Sequence, residues 1–168
     1  MISRTSKLLI AALLALPAPA FGLSCAPPDP VRQLGYAKTS GIDMVVLQGA
    51  VRRAGADRSL GPVNPDEPAG LNNGVESEAP YKFAGSILSA DQPPVAVSAD
   101  MTVTLRCVLG WCGRMDDTAI GLFLARGSAT VGYMVETGPC GGSYYPAPLK
   151  PETIRALREC LADGNCPD

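Results

Sequence analysis

The sequence contains no histidine among its 168 residues. Histidine is the commonest general base, the commonest zinc ligand and the usual switch near neutral pH. The serine and cysteine side chains therefore have no imidazole to activate them, and no phosphate-binding glycine pattern such as GxxxxGK[ST] is present. The sequence predicts a protein that is not an enzyme and that holds no metal or cofactor.

Clusters of basic residues are also missing. Without Arg4 and Lys7, which lie in the N-terminal segment, the chain has 12 basic against 16 acidic side chains, a formal charge of −4. Clustered Lys and Arg supply the counterion release that drives nucleic-acid binding, so we expect no nucleic-acid or anionic-membrane partner. No apolar run is long enough to cross a bilayer as a helix, and we expect no transmembrane segment.

The first 22 residues have the pattern of a secretory signal peptide. Arg4 and Lys7 precede an apolar run at Leu8–Leu16, and small residues follow it. Cleavage fits after Ala20 or after Gly22, and we prefer Gly22. We expect residues 23–168 to form a single domain that is secreted or periplasmic.

A lipoprotein is the alternative interpretation of this N-terminus, because Leu23 and Ser24 precede Cys25. A lipid-attachment motif has a large apolar residue three positions before its cysteine, and this chain has Gly22 there. We therefore expect an ordinary export signal and no lipid on Cys25.

Short strand-like stretches separated by glycine and proline make up most of the remaining chain, which predicts an all-β sandwich or barrel. Two small helices flank them. The first begins at Pro30 with Asp29 as its N-cap, and the second runs from Pro151 to about Ala162, where Gly164 ends it. The predicted strands cover residues 43–51, 81–88, 95–97, 101–107, 119–125 and 130–136.

The stretch from 53 to 80 differs from the rest. Ala, Gly, Pro, Asn, Asp and Glu dominate it, and its apolar residues are sparse and without period. Low apolar content cannot offset the entropy of ordering a chain, so we expect a long flexible loop here, a solvated hairpin excursion with a turn at 72–74, in preference to a functional loop.

Six cysteines in an exported chain predict three disulfides. Spacing alone does not choose among the possible pairings. Cys107 and Cys112 are close enough in sequence to pair, and so are Cys160 and Cys166 around Gly164. By elimination, Cys25 would then pair with Cys140.

The segment around Cys112 has the start of a redox motif but not its second cysteine. Thioredoxin-like chemistry needs a cysteine three positions after the first, and Met115 stands there. A structural disulfide is therefore expected. Trp111, the only tryptophan, is either a packed lid beside that disulfide or an exposed binding anchor. The adjacent Asp116 and Asp117 are typical of a polar turn.

The opening Cys25-Ala26-Pro27-Pro28-Asp29-Pro30 resembles the Cys-x-Pro-Pro-x-Pro start of the tissue inhibitors of metalloproteinases, which are netrin-like modules. A Cys-Gly pair at Cys112-Gly113 and a cysteine before the aromatic-Pro-Leu stretch 144–149 recur in the same order. The likeness covers roughly residues 23–161. The WCG…CGG pattern also resembles that of small uncharacterised exported bacterial proteins.

This resemblance implies a mainly β, disulfide-stapled domain: a small OB-like antiparallel barrel with a short N-terminal helix and a C-terminal helix. It also implies a disulfide between Cys25 and Cys140. The inhibitors begin with Cys-x-Cys, and the amine of the first cysteine chelates the protease zinc while a bridge to the Cys-Gly cysteine holds it. This chain departs from that pattern, because Leu23 occupies the first position and Cys112 has Cys107 as a nearer partner.

The function that follows is an exported, non-catalytic protein-binding module of the protease-inhibitor kind, with an unidentified protein partner, for which a metalloprotease is one candidate. The alternative is a structural envelope protein without a specific ligand. The predicted binding rim consists of Leu23, Ser24, Pro27, Pro28, Trp111, Tyr144 and Tyr145.

Overall fold

The computed structural model describes residues 25–62, 75–108, 111–164 and 166. The predicted signal peptide, Leu23 and Ser24 of the predicted rim, and the turn predicted at 72–74 lie outside these residues. No helix in the described part is long and apolar enough to cross a membrane.

Two helices flank the strands, as the sequence predicts. Helix α1 spans Pro30–Thr39, and the Asp29 carboxylate caps it by accepting hydrogen bonds from the backbone N–H groups of Val31 and Arg32 at 2.8 and 3.3 Å. Helix α2 spans Pro151–Asp163 and ends at Gly164, whose φ of 69° is the left-handed conformation that favours glycine.

The strands of the described residues follow one another closely along the chain. They are β1 (Val45–Arg53), β2 (Arg58–Pro62), β3 (Val75–Leu88), β4 (Val95–Leu105), β5 (Cys107–Val108), β6 (Trp111–Cys112), β7 (Thr118–Ser128), β8 (Gly132–Gly138), β9 (Gly141–Gly142) and β10 (Tyr144–Pro146). The strands predicted at 95–97 and 101–107 are mainly one strand, β4. The turn between β7 and β8 lies at 129–131, so β7 continues three residues beyond the strand predicted at 119–125.

Five of these strands close a barrel in the order β1, β3, β4, β8, β7 and back to β1. All neighbours are antiparallel except β4 and β8, which pair in parallel from Met101↔Tyr133 to Leu105↔Thr137. Closure comes from β7 and β8, which pair at Arg126↔Met134 through Ser128↔Gly132. When the five barrel strands are renumbered 1 to 5 in chain order, β7 is the fourth and β8 the fifth, and the order around the barrel is 1-2-3-5-4. This is the strand order of an OB barrel, so the predicted mainly β, OB-like fold class is confirmed.

Strand β7 shows how one barrel supports two apolar cores. Phe123 and Ala125 point into the barrel, where they join the aromatic rings of Phe83 and Tyr133. Leu122 and Leu124 point outward and are equally buried, because α1 and α2 cover that face. We call this outer core the helix layer; its members are Val31, Leu34, Val46, Leu88, Leu122, Leu124, Tyr145, Leu157 and Cys160.

A row of glycines crosses the centre of the barrel wall. Gly49 of β1 pairs with Gly85 of β3 on one side and with Gly121 of β7 on the other. A Cβ on Gly49 would lie 2.4 Å from the Ala84 carbonyl oxygen, which is too close for any other residue. Glycine here lets neighbouring backbones approach closely, as the curvature of a small barrel requires.

The prediction of a flexible loop from 53 to 80 is wrong at both of its ends. Arg58–Pro62 forms β2, and Val75–Pro80 forms the first part of β3, which pairs with β2 and β4. The stretch is ordered because its backbone pairs with neighbouring strands and Ala79 is fully buried, while charged side chains such as Arg58 and Glu78 meet at the surface. Proline has no backbone N–H to donate, and β3 tolerates Pro80 because this residue lies between the part of β3 that pairs with β2 and the part that pairs with β1.

All three predicted disulfides are present. Cys25 pairs with Cys140, Cys107 with Cys112, and Cys160 with Cys166. The pairing obtained by elimination is therefore confirmed.

Candidate functional site

The extended segment Cys25–Asp29, which we call the arm, is held at both of its ends. Its first residue is bonded to Cys140 with a Cα–Cα distance of 5.1 Å, and its last residue caps α1. Between them, Pro28 packs on Gly141, where an added Cβ would lie 3.3 Å from the proline ring. Pro27 and Pro28 are exposed. The arm therefore presents two prolines from a backbone that has little freedom left to lose.

The residues Cys107, Val108, Trp111 and Cys112 form a separate two-stranded unit, which we call the Trp hairpin. Cys107 lies opposite Cys112 and is bonded to it, and Val108 lies opposite Trp111. The Trp111 side chain is 63% exposed and Val108 is 48% exposed. Of the two roles that the sequence left open for Trp111, the geometry matches the exposed one, because a lid over a core would be buried.

The base of the Trp hairpin is joined to the end of β8. The backbone N–H of Arg106 donates to the Thr137 carbonyl oxygen at 2.8 Å, and the N–H of Gly113 donates to the Arg106 carbonyl oxygen at 2.8 Å. A Cβ on Gly113 would lie 2.4 Å from the Thr137 oxygen, so this position needs glycine for close approach. The hairpin base is therefore seated directly on the Thr137 backbone.

The arm and the Trp hairpin meet on one short stretch of chain. The hairpin base rests on Thr137 and Gly138, and the arm is bonded to Cys140 two residues later. The structure thus brings Pro27, Pro28 and Trp111 of the predicted rim to the same end of β8. We use "the rim" below for the arm and the Trp hairpin together.

The two tyrosines of the predicted rim have different positions. Tyr145 is 3% exposed and belongs to the helix layer, where its hydroxyl donates to the Gln33 side-chain oxygen. Burial, and next the negative charge of Asp29, raise the pKa of Tyr145. Its ring is therefore not available to a partner, because it anchors α1 to the barrel. The sequence shows an aromatic-proline stretch but does not show which of its faces the helices cover.

Tyr144 is half-buried, and its ring stacks on Phe123 with centroids 5.0 Å apart. Its hydroxyl donates to the Ile120 carbonyl oxygen at 3.4 Å. Burial, followed by the charge of Asp116, raises the pKa of Tyr144. These contacts place Tyr144 at the end of the barrel core, and no described contact joins it to the arm or the Trp hairpin.

A chain of ion pairs runs beside the hairpin base. Arg106 binds Glu76 at 2.7 Å and Glu136 at 3.4 Å, and Arg126 binds Glu136 at 2.6 Å. Hydrogen bonding to Glu76, then to Glu136, raises the pKa of Arg106. These side chains are partly exposed, so each ion pair contributes less than about 1 kcal/mol to the stability of the fold. Together they orient Arg106, whose backbone carries the hairpin.

Asp116 and Asp117 do not act as a pair of carboxylates. Asp117 accepts a hydrogen bond from Arg53 Nε at 2.6 Å, and its carbonyl oxygen accepts from the Arg53 backbone N–H at 2.7 Å. The Asp116 carbonyl oxygen instead accepts a hydrogen bond from the buried Tyr81 hydroxyl. The two residues therefore lie in a polar bend that leads into β7, where the sequence predicts a polar turn.

Two grooves border the arm, and no pattern in the sequence indicates either. The larger, with a volume of about 800 Å³, lies between the arm and α2, and its lining combines apolar residues such as Pro27 and Leu149 with charged residues such as Glu152 and Arg155. The smaller, about 490 Å³, lies on the other side of the arm and ends at Tyr36, which is 70% exposed. The larger depends on the packing of α1 against α2, and the smaller on the position of α1 beside Gly141 and Gly142; both are tertiary properties.

Within the described residues, no group of three or more His, Cys, Asp and Glu side chains is placed to hold a metal ion. All six cysteines are in disulfides. The arrangement offers an exposed indole and exposed prolines, which bind partners by burial of apolar surface, beside grooves of mixed apolar and charged lining.

Comparison with protein-family models, with curated proteins and with solved structures finds no match for this chain.

Proposed function

We propose that this chain is an exported, non-catalytic protein-binding module and that the rim is its contact surface. The observation that carries the proposal is the position of Trp111, which is 63% exposed on a disulfide-closed hairpin. The base of that hairpin contacts Thr137, close in sequence to Cys140, which holds the arm. Tryptophan is enriched at the residues that dominate binding energy. A side chain on a backbone that is already fixed loses little further entropy on binding.

Export is part of the same proposal, with residues 1–22 as the signal peptide. Disulfides persist in oxidising compartments, and this chain has three. The Cys25 sulfur is bonded to Cys140. A sulfur in a disulfide has no free thiol to carry a lipid, so the geometry supports release of the mature chain without an anchor.

The finer form of the proposal is a netrin-like, protease-inhibitor-like module whose partner is a zinc metalloprotease. The OB barrel order and the Cys25–Cys140 bond support it. The bond between Cys107 and Cys112 occupies the cysteine that would otherwise fix the N-terminal amine. In this proposal the contact with the protease is therefore made by Trp111 and the arm prolines.

A capture experiment with matched variants tests the rim. The mature chain, Trp111→Ala and Val131→Ala are immobilised and exposed to an extract of the exported proteins of the source cells. Val131 is 81% exposed in the turn at the other end of β8, so it controls for the loss of an exposed apolar side chain away from the rim. Purified zinc metalloprotease catalytic domains are tested in parallel by inhibition.

The proposal predicts a protein that the wild type and Val131→Ala retain and that Trp111→Ala releases. For the purified pair, the substitution should cost about 2 kcal/mol, or roughly a 30-fold higher Kd. Equal retention by all three chains would contradict the rim. A chain that retains nothing specific, while sedimenting with the cell envelope, would favour the structural alternative.

A further inference from the structure

The disulfides differ in how easily a thiol in solution can reach their sulfurs. Cys25, Cys140 and Cys112 are exposed residues, and only Cys107, at 6% exposure, is shielded within the rim. In the third bridge, Cys160 is 0% exposed within the helix layer. Each rim disulfide therefore has at least one exposed residue, whereas the third has none, because Cys166 is only partly exposed.

The rim disulfides are also separate from the pairing that closes the barrel. Among the strands that the structure describes, β5 and β6 form a sheet of their own, with no ladder to the barrel strands, and the arm belongs to no strand. Opening either bridge therefore breaks no hydrogen bond of the barrel ladder. Local opening of this kind is expected for segments that share few buried contacts with the core.

We propose that the rim is a thiol–disulfide exchange site, at which an external dithiol releases the Trp hairpin and the arm while the barrel stays folded. At the hairpin, a thiolate of the dithiol attacks Cys112 Sγ, because Cys107 is shielded. The bond between the two sulfurs breaks, and its electron pair leaves on Cys107 Sγ, which takes a proton from water.

The second thiol of the reagent then attacks the mixed disulfide, and the Cys112 thiolate leaves and is protonated. The dithiol becomes a cyclic or protein disulfide, and the hairpin gains two electrons and two protons. The same two steps apply to Cys25–Cys140, where both residues are exposed. The reductant is thus a dithiol, either a small molecule or a protein with two vicinal cysteines.

The consequence for binding rests on the proposed function. In the oxidised rim, Trp111 is held opposite Val108 by the neighbouring bond. After exchange, the hairpin keeps only its base, which is hydrogen-bonded through Arg106 to Thr137. A partner would then have to order the hairpin on binding, which weakens its affinity. Reduction would act as a release signal.

Graded reduction of the oxidised mature chain tests the site without any partner. The chain is incubated with increasing dithiothreitol, quenched with iodoacetamide and mapped by peptide mass spectrometry, with circular dichroism recorded on the same samples. The four rim cysteines should be alkylated at a dithiothreitol concentration at least tenfold below that needed for Cys160 and Cys166, with the β spectrum unchanged. Alkylation of all six together, or loss of the spectrum with the first label, would overturn the proposal.

Fluorescence gives a second readout, because Trp111 is the only tryptophan and adjoins a disulfide, which quenches indole emission. Emission should rise as Cys107 and Cys112 become labelled, and the double variant Cys107→Ser/Cys112→Ser should show no rise. A rise in that variant would contradict the assignment. Loss of partner capture by Trp111→Ala is measured separately, so the binding function and the exchange site can fail independently.

Discussion

Two disulfides of almost the same span lie in opposite environments. Cys107–Cys112 and Cys160–Cys166 have sequence separations of 5 and 6 residues, and their Cα–Cα distances are 4.0 and 4.4 Å. The first closes an exposed hairpin that carries Trp111. The second has Cys160 fully buried against the helix layer.

The comparison separates two uses of the same covalent bond. In the chain-entropy model, closing a loop of this length contributes roughly 2 kcal/mol whichever pair does it. Any further difference between the two bonds in their contribution to stability must come from the residues that their sulfurs contact. At α2 the bond is part of an apolar core, whereas at the rim it sets the shape of a surface. Stability should therefore depend more on the α2 bond, and binding on the rim bond.

The largest effect should come from the core beneath the α2 disulfide. Leu157 is 0% exposed in the helix layer, one turn before Cys160. Leu157→Ala removes a fully buried side chain and leaves a cavity, which should lower the free energy of unfolding by roughly 4 kcal/mol. Its counterpart at the hairpin, Val108→Ala, should cost less than about 0.5 kcal/mol, because that side chain is 48% exposed. Urea denaturation followed by circular dichroism measures both, and equal losses would contradict the comparison.

Removal of each disulfide should have the next largest effects. Cys160→Ala/Cys166→Ala should lower the free energy of unfolding by roughly 3 kcal/mol, since loop entropy and buried contacts of Cys160 are both lost. Cys107→Ala/Cys112→Ala should cost less, roughly 2 kcal/mol, because Cys107 is buried but belongs to neither apolar core, so the loop term dominates. The same urea titrations give both values. A larger loss from the hairpin pair would show that the Trp hairpin is part of the folding core.

The fold could be predicted from the sequence where its signals are local. Asp29 before Pro30 marked the start of α1, and Gly164 marked the end of α2, because capping depends on a few neighbouring residues. The strands β7 and β8 showed their β-branched and aromatic pattern. Strand β2 and the start of β3 did not, because backbone pairing with neighbouring strands holds them and their charged residues, such as Arg58 and Glu78, leave no apolar period.

The candidate rim residues were also predictable only where the signal is local in sequence. The cysteine and proline spacing singled out Trp111 and the arm prolines as rim candidates, and the structure places the Trp hairpin and the arm at one end of β8. Tyr145 was misplaced because its burial depends on α1, which is more than 100 residues away in sequence but is hydrogen-bonded to it through Gln33. The role of Gly113, the close approach to Thr137, is also a tertiary property.

Alkaline pH should weaken the helix layer and leave the Trp hairpin in place. The pKa of Tyr145 is raised in the fold, mainly by burial, so the folded state favours the neutral phenol. An unfolded tyrosine ionises near its ordinary pKa of about 10, so this stability is present below that pH and is lost as the pH rises above it. A single group contributes at most about 1.4 kcal/mol per pH unit. Urea unfolding midpoints recorded from pH 8 to 11 measure how steeply the stability falls with pH.

The matched variant for this test is Tyr145→Phe, which keeps the ring but has no proton to lose. Its stability should be lower at pH 8, because the hydrogen bond to Gln33 is lost, but it should fall less steeply above pH 10. Tyr81 is buried in the barrel, and burial raises its pKa too, so some slope should remain. An unchanged slope would mean that Tyr145 does not govern the alkaline loss.

The smallest expected effect on stability, that of Trp111→Ala, decides what the hairpin is for. With 63% of the side chain exposed, the substitution should change the free energy of unfolding by less than about 0.5 kcal/mol, despite the size of the indole. A buried tryptophan would instead cost about 3–5 kcal/mol. Thermal and urea unfolding of the variant, beside Leu157→Ala, give a direct contrast. A cost near that of Leu157→Ala would place the indole in a core and remove the basis for the rim as a binding surface. A negligible cost leaves the disulfide-closed hairpin with no stabilising role for its largest side chain, which is the pattern of a residue retained for contact with a partner.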